Sequence, residues 1–194
     1  MRTEVRIVAG NLKGRKISVH VSPDLRPTPQ MVREALFSIL GNAVPGRPFY
    51  DLFAGTGAVG LEALSRGASN VVLIERDGRV AGEIAHHLQA FKVTDRASVQ
   101  RADVYRWAQH WAAPADPVTL FLGPPYPDYQ SRLDGFLALV AALQQKAAEG
   151  SVLAVQCEQT FAFDKLPGTA WDQRRYGRNW LLFWVKEPPP AVSG

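Results

Sequence analysis

Residues 4 to 21 place β-forming side chains around Gly10-Asn11 and Lys13-Gly14, a pattern that predicts a short β-hairpin or meander. A helix should follow over TPQMVREALFSILG. Thr28 is placed as its N-cap and Pro29 at its first position; Val32, Ala35, Leu36, Ile39 and Leu40 share one apolar face, and Gly41 closes it. Strand and helix then alternate: strand PFYDLF, a glycine loop, a helix through LEALSRG, strand VVLIE, and a helix from Asp77 to about Phe91. Next come strand ASVQR, a short helix, strand VTLFL, a helix through the 130s and 140s, and strand SVLAVQ. Apolar, β-branched runs separated by amphipathic helices predict parallel βαβ crossovers, with helices on both faces of the sheet. WDQRRYGRNWLLFWVK breaks the rhythm and reads as two strands joined at Gly177. The expected fold class is therefore α/β and Rossmann-like: a mostly parallel seven-stranded sheet, a C-terminal antiparallel hairpin and an N-terminal β-hairpin extension.

At 194 residues and 46% apolar content the chain supports one well-buried core. Residues 1–22 read as a basic extension, 23–187 as the main domain, and 188–194 as a disordered tail. The net charge of +4 is concentrated: through Arg33 the chain carries seven basic residues against Glu4 and Asp24. Three more arginines, Arg174, Arg175 and Arg178, cluster near the C-terminus. The sole cysteine, Cys157, excludes an intrachain disulfide framework and argues against structural zinc. With no apolar run approaching the ~18 residues of a membrane span, a cytoplasmic, membrane-free location is expected.

The sequence DLFAGTGAVGLEAL supplies Gly55, Gly57 and Gly60 in a GxGxxG pattern between a strand and a helix. Such a loop lets a ligand approach the backbone beneath the positive end of a helix. Alone it suits either a dinucleotide or S-adenosylmethionine. Glu75, 20 residues beyond Gly55, ends the next strand where a carboxylate can take both ribose hydroxyls, which fits both cofactors. Asp51, inside the first strand, would suit an ammonium better than a diphosphate. Asp103 could accept from an adenine amino group or simply cap the following helix. Tyr105 and Trp107 read as packing residues.

FLGPPYPDY places a rigid proline turn after the fourth sheet strand, beyond the carboxyl ends of the strands where α/β sheets bind ligands. Pro124 and Pro125 fix φ and offer no amide hydrogens, so the turn presents carbonyl acceptors. An exocyclic amine on a nucleobase needs such acceptors, and Tyr126 could stack on the base for roughly 1–3 kcal/mol.

With RIVAGNLKGRKISV, LRPTPQMVREALF, DLFAGTGAVGLEALSRGA, LIERD, the PPY turn and YGRNWLLFW taken together, the chain resembles a bacterial RNA methyltransferase family. That family methylates N2 of guanine 966 in 16S ribosomal RNA, and the similar stretches cover most of the chain. The resemblance implies a class I S-adenosylmethionine-dependent methyltransferase domain, needing no metal and expected as a monomer. It implies cofactor contacts from Asp51, Ala54, Gly55, Thr56, Gly57, Glu75, Arg76, Asp103 and Val104, and handling of the target base by the turn from Gly123 through Pro124 and Pro125 to Tyr126. The basic residues Arg6, Lys13, Arg15, Lys16, Arg26 and Arg33, with Thr28, would hold 16S rRNA within the small ribosomal subunit or its assembly intermediate, largely through phosphates.

One departure stands out. The family's turn opens with Asp or Asn, whose side-chain oxygen accepts an amine hydrogen; this chain has Gly123. Three readings stay open: a variant that has lost catalysis, a slower enzyme using water or backbone, or rescue by Asp128. A non-catalytic RNA-binding or ribosome-assembly factor is the main rival, and a nicotinamide oxidoreductase a weaker one. His86 and His87 read as surface or packing residues, Cys157 as a core residue.

Overall fold

The structure is a computed structural model that describes residues 2–20, 27–158 and 163–188. Arg26, the boundary proposed at residue 22 and nearly all of the proposed tail lie outside these residues. Strands β1 (Arg2–Arg6) and β2 (Lys16–His20) pair antiparallel as a separate two-stranded sheet, with Val5 opposite Ile17. The main sheet is built from β3 (Phe49–Asp51), β4 (Val71–Glu75), β5 (Ala97–Arg101), β6 (Thr119–Leu122), β7 (Val152–Glu158), β8 (Asp172–Tyr176) and β9 (Asn179–Val185). Its order is β5-β4-β3-β6-β7-β9-β8, parallel from β5 to β7 and antiparallel through β9 and β8. The expected seven strands and closing hairpin are present.

Helices α1 (Gln30–Leu40), α2 (Ala58–Ser65), α3 (Gly78–Ala90), α4 (Val104–His110), α5 (Tyr126–Ser131) and α6 (Leu133–Lys146) cover the sheet. Two buried clusters result. One gathers α1, α2 and α3 with the N-terminal hairpin; the other centres on α4, α6 and the opposite sheet face. Strand β6 has all four residues buried, which is why it reads as β-branched Thr119 followed by an apolar run rather than as an alternation.

The hairpin is part of this packing. Val5, Ile7, Leu12, Ile17 and Val19 enter the first cluster. At the connection between β1 and β2, the buried Glu62 carboxylate of α2 accepts from the Val8 and Ala9 amides at 2.8 and 3.1 Å. Ser65 accepts from the Leu12 amide at 2.9 Å through its hydroxyl and from the Asn11 amide at 2.9 Å through its carbonyl. Gly10 has φ 82° and passes so close to α2 that a Cβ there would lie 1.7 Å from the Ser65 carbonyl oxygen.

The start of α1 differs from the sequence reading. Pro29, not Thr28, occupies the N-cap position, and among the described residues no side chain caps the helix. Thr28 instead donates its hydroxyl hydrogen to Gln156 Oε1 at 2.9 Å, a contact across 128 residues. The expected helix through the 130s and 140s is α6, and a short further helix, α5, precedes it and ends at Arg132.

Candidate functional site

The carboxyl ends of β3, β4, β6 and β7 open into one cleft of about 760 Å³, within the range of small-molecule sites. Of the residues expected to bind cofactor, Asp51, Ala54, Gly55, Thr56, Glu75, Arg76, Asp103 and Val104 line it. Gly57 is not in the lining and forms the N-cap of α2 with φ 74°. Gly55 also has a left-handed φ, 52°, so these two glycines are dictated by the turn. Gly60 is dictated by packing, since a Cβ there would meet the Leu73 side chain at 2.8 Å.

Asp51 is fully buried at the floor. Its Oδ2 accepts from the Gly60 amide at 2.9 Å, while Oδ1 has no partner among the described residues. Burial, reinforced by the nearby Glu75 charge and opposed by the Gly60 bond, pushes this carboxyl up to about 7. A cation beside Oδ1 would restore the charge.

Glu75 spans the glycine loop. Oε2 accepts from the Gly55 amide at 2.9 Å and Oε1 from the Asp77 amide at 2.8 Å. An ionised carboxylate has about four acceptor sites, so both oxygens keep one for a further donor. Burial is the main cause of its raised pKa. A ligand with an ammonium near Asp51 and vicinal hydroxyls near Glu75 therefore fits these residues, whereas a diphosphate would lie against two carboxylates.

Asp103 has the capping role considered for it. Oδ1 accepts from the Tyr105 and Arg106 amides at the start of α4, and Oδ2 accepts from Arg132 at 3.3 Å. The Arg132 guanidinium also stacks 3.8 Å from the Tyr105 ring centroid. Tyr105 packs edge-on against Phe53 and donates its hydroxyl hydrogen to the buried Asp128 at 2.9 Å, while lining the cleft. Sequence reasoning missed Arg132 because nothing in periodicity pairs it with Asp103. Trp107 packs between Tyr50 and Trp111 and is not part of the lining.

The turn Gly123, Pro124, Pro125 and Tyr126 lines the same cleft, with Tyr126 41% exposed. Pro125 is the N-cap of α5, and Tyr126 opens that helix. Gly123 does not have a left-handed φ, and a Cβ there would approach only the Phe121 ring, at 3.2 Å. The backbone therefore does not demand glycine at this position.

Thr28 also lines the cleft, whereas Arg6, Lys13, Arg15, Lys16 and Arg33 lie outside it. Lys13 and Arg15 are exposed at the β1–β2 turn, Arg15 lying over the Phe91 ring; Lys16 pairs with Glu4 at 2.7 Å. Arg33 is 2% exposed and donates to the Thr28 and Arg6 carbonyl oxygens at 2.7 and 2.9 Å, a position that ties α1 to the hairpin rather than presenting a charge to solvent. Desolvation lowers its pKa. His87 hydrogen-bonds the Ser18 carbonyl oxygen from the helix surface. Cys157 is buried, its thiol pushed up to about 12 by desolvation, although it borders the cleft floor.

A family model described as "Conserved hypothetical protein 95" matches residues 5–185. The chain belongs to this family. Its relatives include "Putative rRNA methyltransferase YlbH" of Bacillus subtilis, 32% identical over 170 residues, 87% of this chain and 89% of that one. "Ribosomal RNA small subunit methyltransferase D" of Escherichia coli is 38% identical over 123 residues, covering 63% of this chain and 61% of the relative. Among solved structures, a 16S rRNA N2 methyltransferase of Thermus thermophilus in complex with AdoMet and guanosine superposes with a TM-score of 0.73 at 21% identity, over 97% of this chain and 50% of that one. The fold is that of the class I methyltransferases. Within the family's stretch, the glycine loop and the proline turn line the same cleft, at the ends of the neighbouring strands β3 and β6.

Proposed function

We propose that this chain is an S-adenosylmethionine-dependent rRNA methyltransferase whose target is the exocyclic N2 of a guanine in 16S rRNA, guanine 966 by the family resemblance. The observation that carries the reading is one cleft holding both a buried carboxylate oxygen at Asp51, without a partner among the described residues, and a stiff acceptor turn at Pro124-Pro125. The relatives' names support the rRNA methyltransferase part of this reading.

Bound S-adenosylmethionine supplies an electrophilic methyl on a sulfonium. Asp51 Oδ1 would take its ammonium, Glu75 its ribose hydroxyls, and Gly55 would allow close approach. The Pro124 carbonyl would accept a hydrogen from the target amine and Tyr126 would stack on the base, holding the nucleophile in line. An amine target needs no covalent enzyme intermediate, in keeping with the buried Cys157 thiol.

Transfer of radiolabelled methyl to small ribosomal subunits lacking the guanine 966 methyl group tests this, run with the chain and with Gly123→Asp. Methylation of that guanine by either protein supports the reading; failure of both overturns it. A second reading, a non-catalytic RNA-binding or ribosome-assembly factor that retains the cofactor cleft, is favoured specifically by Gly123, which removes a side-chain acceptor. It predicts tight cofactor and rRNA binding with no transfer from either form.

A further inference from the structure

One wall of the cleft is a chain of side-chain hydrogen bonds that the cofactor reading does not use. The Thr28 hydroxyl donates to Gln156 Oε1 at 2.9 Å, and Gln156 Nε2 donates to Asn179 Oδ1 at 3.1 Å. Tyr129 donates to the Gln156 backbone carbonyl oxygen at 2.6 Å, fixing this stretch of β7 against α5. All four residues line the cleft.

The relay sets the direction of each amide. With Thr28 donating to its oxygen, Gln156 turns its NH2 toward Asn179; that NH2 meets the Asn179 oxygen, so Asn179 must turn its own NH2 away. Among the described residues, Asn179 Nδ2 has no acceptor, and the residue is only partly buried. The result is an oriented, unused donor at the rim.

Its position relative to the proline turn follows from strand register. Leu122 pairs with Val155 in parallel β6 and β7, so Gly123 and Gln156 are the next residues outward on neighbouring strands, about 5 Å apart. Asn179 starts β9, on the far side of β7, opposite Glu158. Acceptors at the turn and a donor beyond Gln156 thus lie in sequence across the strand ends. Guanine presents a matching sequence along its pairing edge: the N2 amine, the N1 hydrogen and the O6 acceptor. An adenine carries an amino donor where guanine carries O6.

We infer that the Asn179 side-chain amide, oriented through Gln156 and Thr28, donates to the six-position oxygen of the target base and so selects a keto purine over an amino purine. This deepens the guanine reading above and rests on it. Asn179 is a specificity-determining residue here; Gln156 and Thr28 are positioning residues.

The test is fluorescence anisotropy with short single-stranded RNAs that differ at one position, carrying guanine, 2,6-diaminopurine or an abasic site. The protein is saturated with S-adenosylhomocysteine, and the salt concentration is held constant. 2,6-Diaminopurine keeps the N2 amine and replaces O6 with an amine. Wild type should bind the guanine RNA about tenfold more tightly than the diaminopurine RNA, the worth of one well-placed hydrogen bond. Asn179→Leu should erase that preference and Asn179→Asp, an acceptor of the same shape, should reverse it, both with S-adenosylhomocysteine affinity unchanged. A guanine preference that persists in Asn179→Leu overturns the inference alone. So does equal wild-type binding of guanine and diaminopurine RNAs, both tighter than the abasic one. Wild-type binding of the abasic RNA as tight as that of guanine overturns the base-pocket reading and this inference with it.

Discussion

The Asp51 carboxylate takes the Gly60 amide through Oδ2 at 2.9 Å and keeps Oδ1 buried with no partner among the described residues, so the first turn of α2 is fixed by a group that is itself only half satisfied. A buried carboxylate in this state costs stability and is ready to receive a cation. Asp51→Asn should leave the free protein as stable as wild type or more so in urea unfolding. The same change should weaken S-adenosylmethionine binding by roughly 1.5–3 kcal/mol, about 10- to 150-fold by calorimetry. Unchanged affinity would remove Asp51 from the cofactor site.

The same residue predicts a pH dependence. The folded-state value near 7 lies above the ordinary 3.8, so between these values the unfolded chain releases its proton first. The Asp51 contribution therefore lowers stability as pH rises across this window, and the loss is complete above about 7. A bound ammonium favours the ionised form, so cofactor affinity should rise from pH 5.5 toward 7.5, with proton release on binding near pH 6. Calorimetry in buffers of different ionisation enthalpy measures that release, and Asp51→Asn should abolish it.

At the proline turn, Gly123→Asp needs only a shift of a few tenths of an ångström in the Phe121 ring. Restoring a preorganised acceptor should raise the methyl-transfer rate on order 10²–10³-fold, with cofactor affinity unchanged. Equal rates in single-turnover assays would mean that the backbone carbonyl alone suffices.

For RNA, reversal of Lys13, Arg15 and Lys16 together should weaken binding and reduce the slope of log K against log salt by about 0.7–0.9 for each phosphate that is no longer neutralised. S-adenosylmethionine affinity should be unchanged, because all three lie outside the cleft. Because Lys16 already pairs with Glu4, Lys13 should account for more of the weakening than Lys16 when each is changed alone.

Gly10→Ala tests the joint between hairpin and α2. The added methyl would collide with the Ser65 carbonyl oxygen at a left-handed φ, and unfolding by urea should show a destabilisation of about 2–4 kcal/mol.

What the sequence disclosed was the part governed by local pattern. Strands such as β6, buried along their whole length, read as runs of β-branched and apolar residues; the glycine loop was visible because Gly55 and Gly57 need left-handed backbone. Glu75 and Asp103 were legible as candidates from their places at and just after strand ends and Asp51 from its place inside the first strand, which in the structure ends at that residue. Their detailed partners were not, because they come from distant chain. Thr28 has every local mark of an N-cap yet is claimed by Gln156, 128 residues away. Arg33 sits beside the apolar face of α1 and becomes buried only because carbonyls of the hairpin and of Thr28 receive its guanidinium. The Glu62 contacts and the Thr28–Gln156–Asn179 relay likewise depend on elements that meet only after folding.

The anchoring of the hairpin on α2 also sets an order on synthesis. Residues 2–20 leave the ribosome before α2, but a lone two-stranded hairpin is marginal in water. The acceptors that hold this one, Glu62 and Ser65, are made some fifty residues later. His87, which contacts Ser18, is made later still. The basic N-terminal segment therefore waits as unstructured chain until the first βαβ unit has been translated, and is completed by the domain rather than serving as its nucleus. A nascent chain stalled before residue 62 should lack a protease-resistant N-terminal hairpin, whereas one released past residue 91 should protect it.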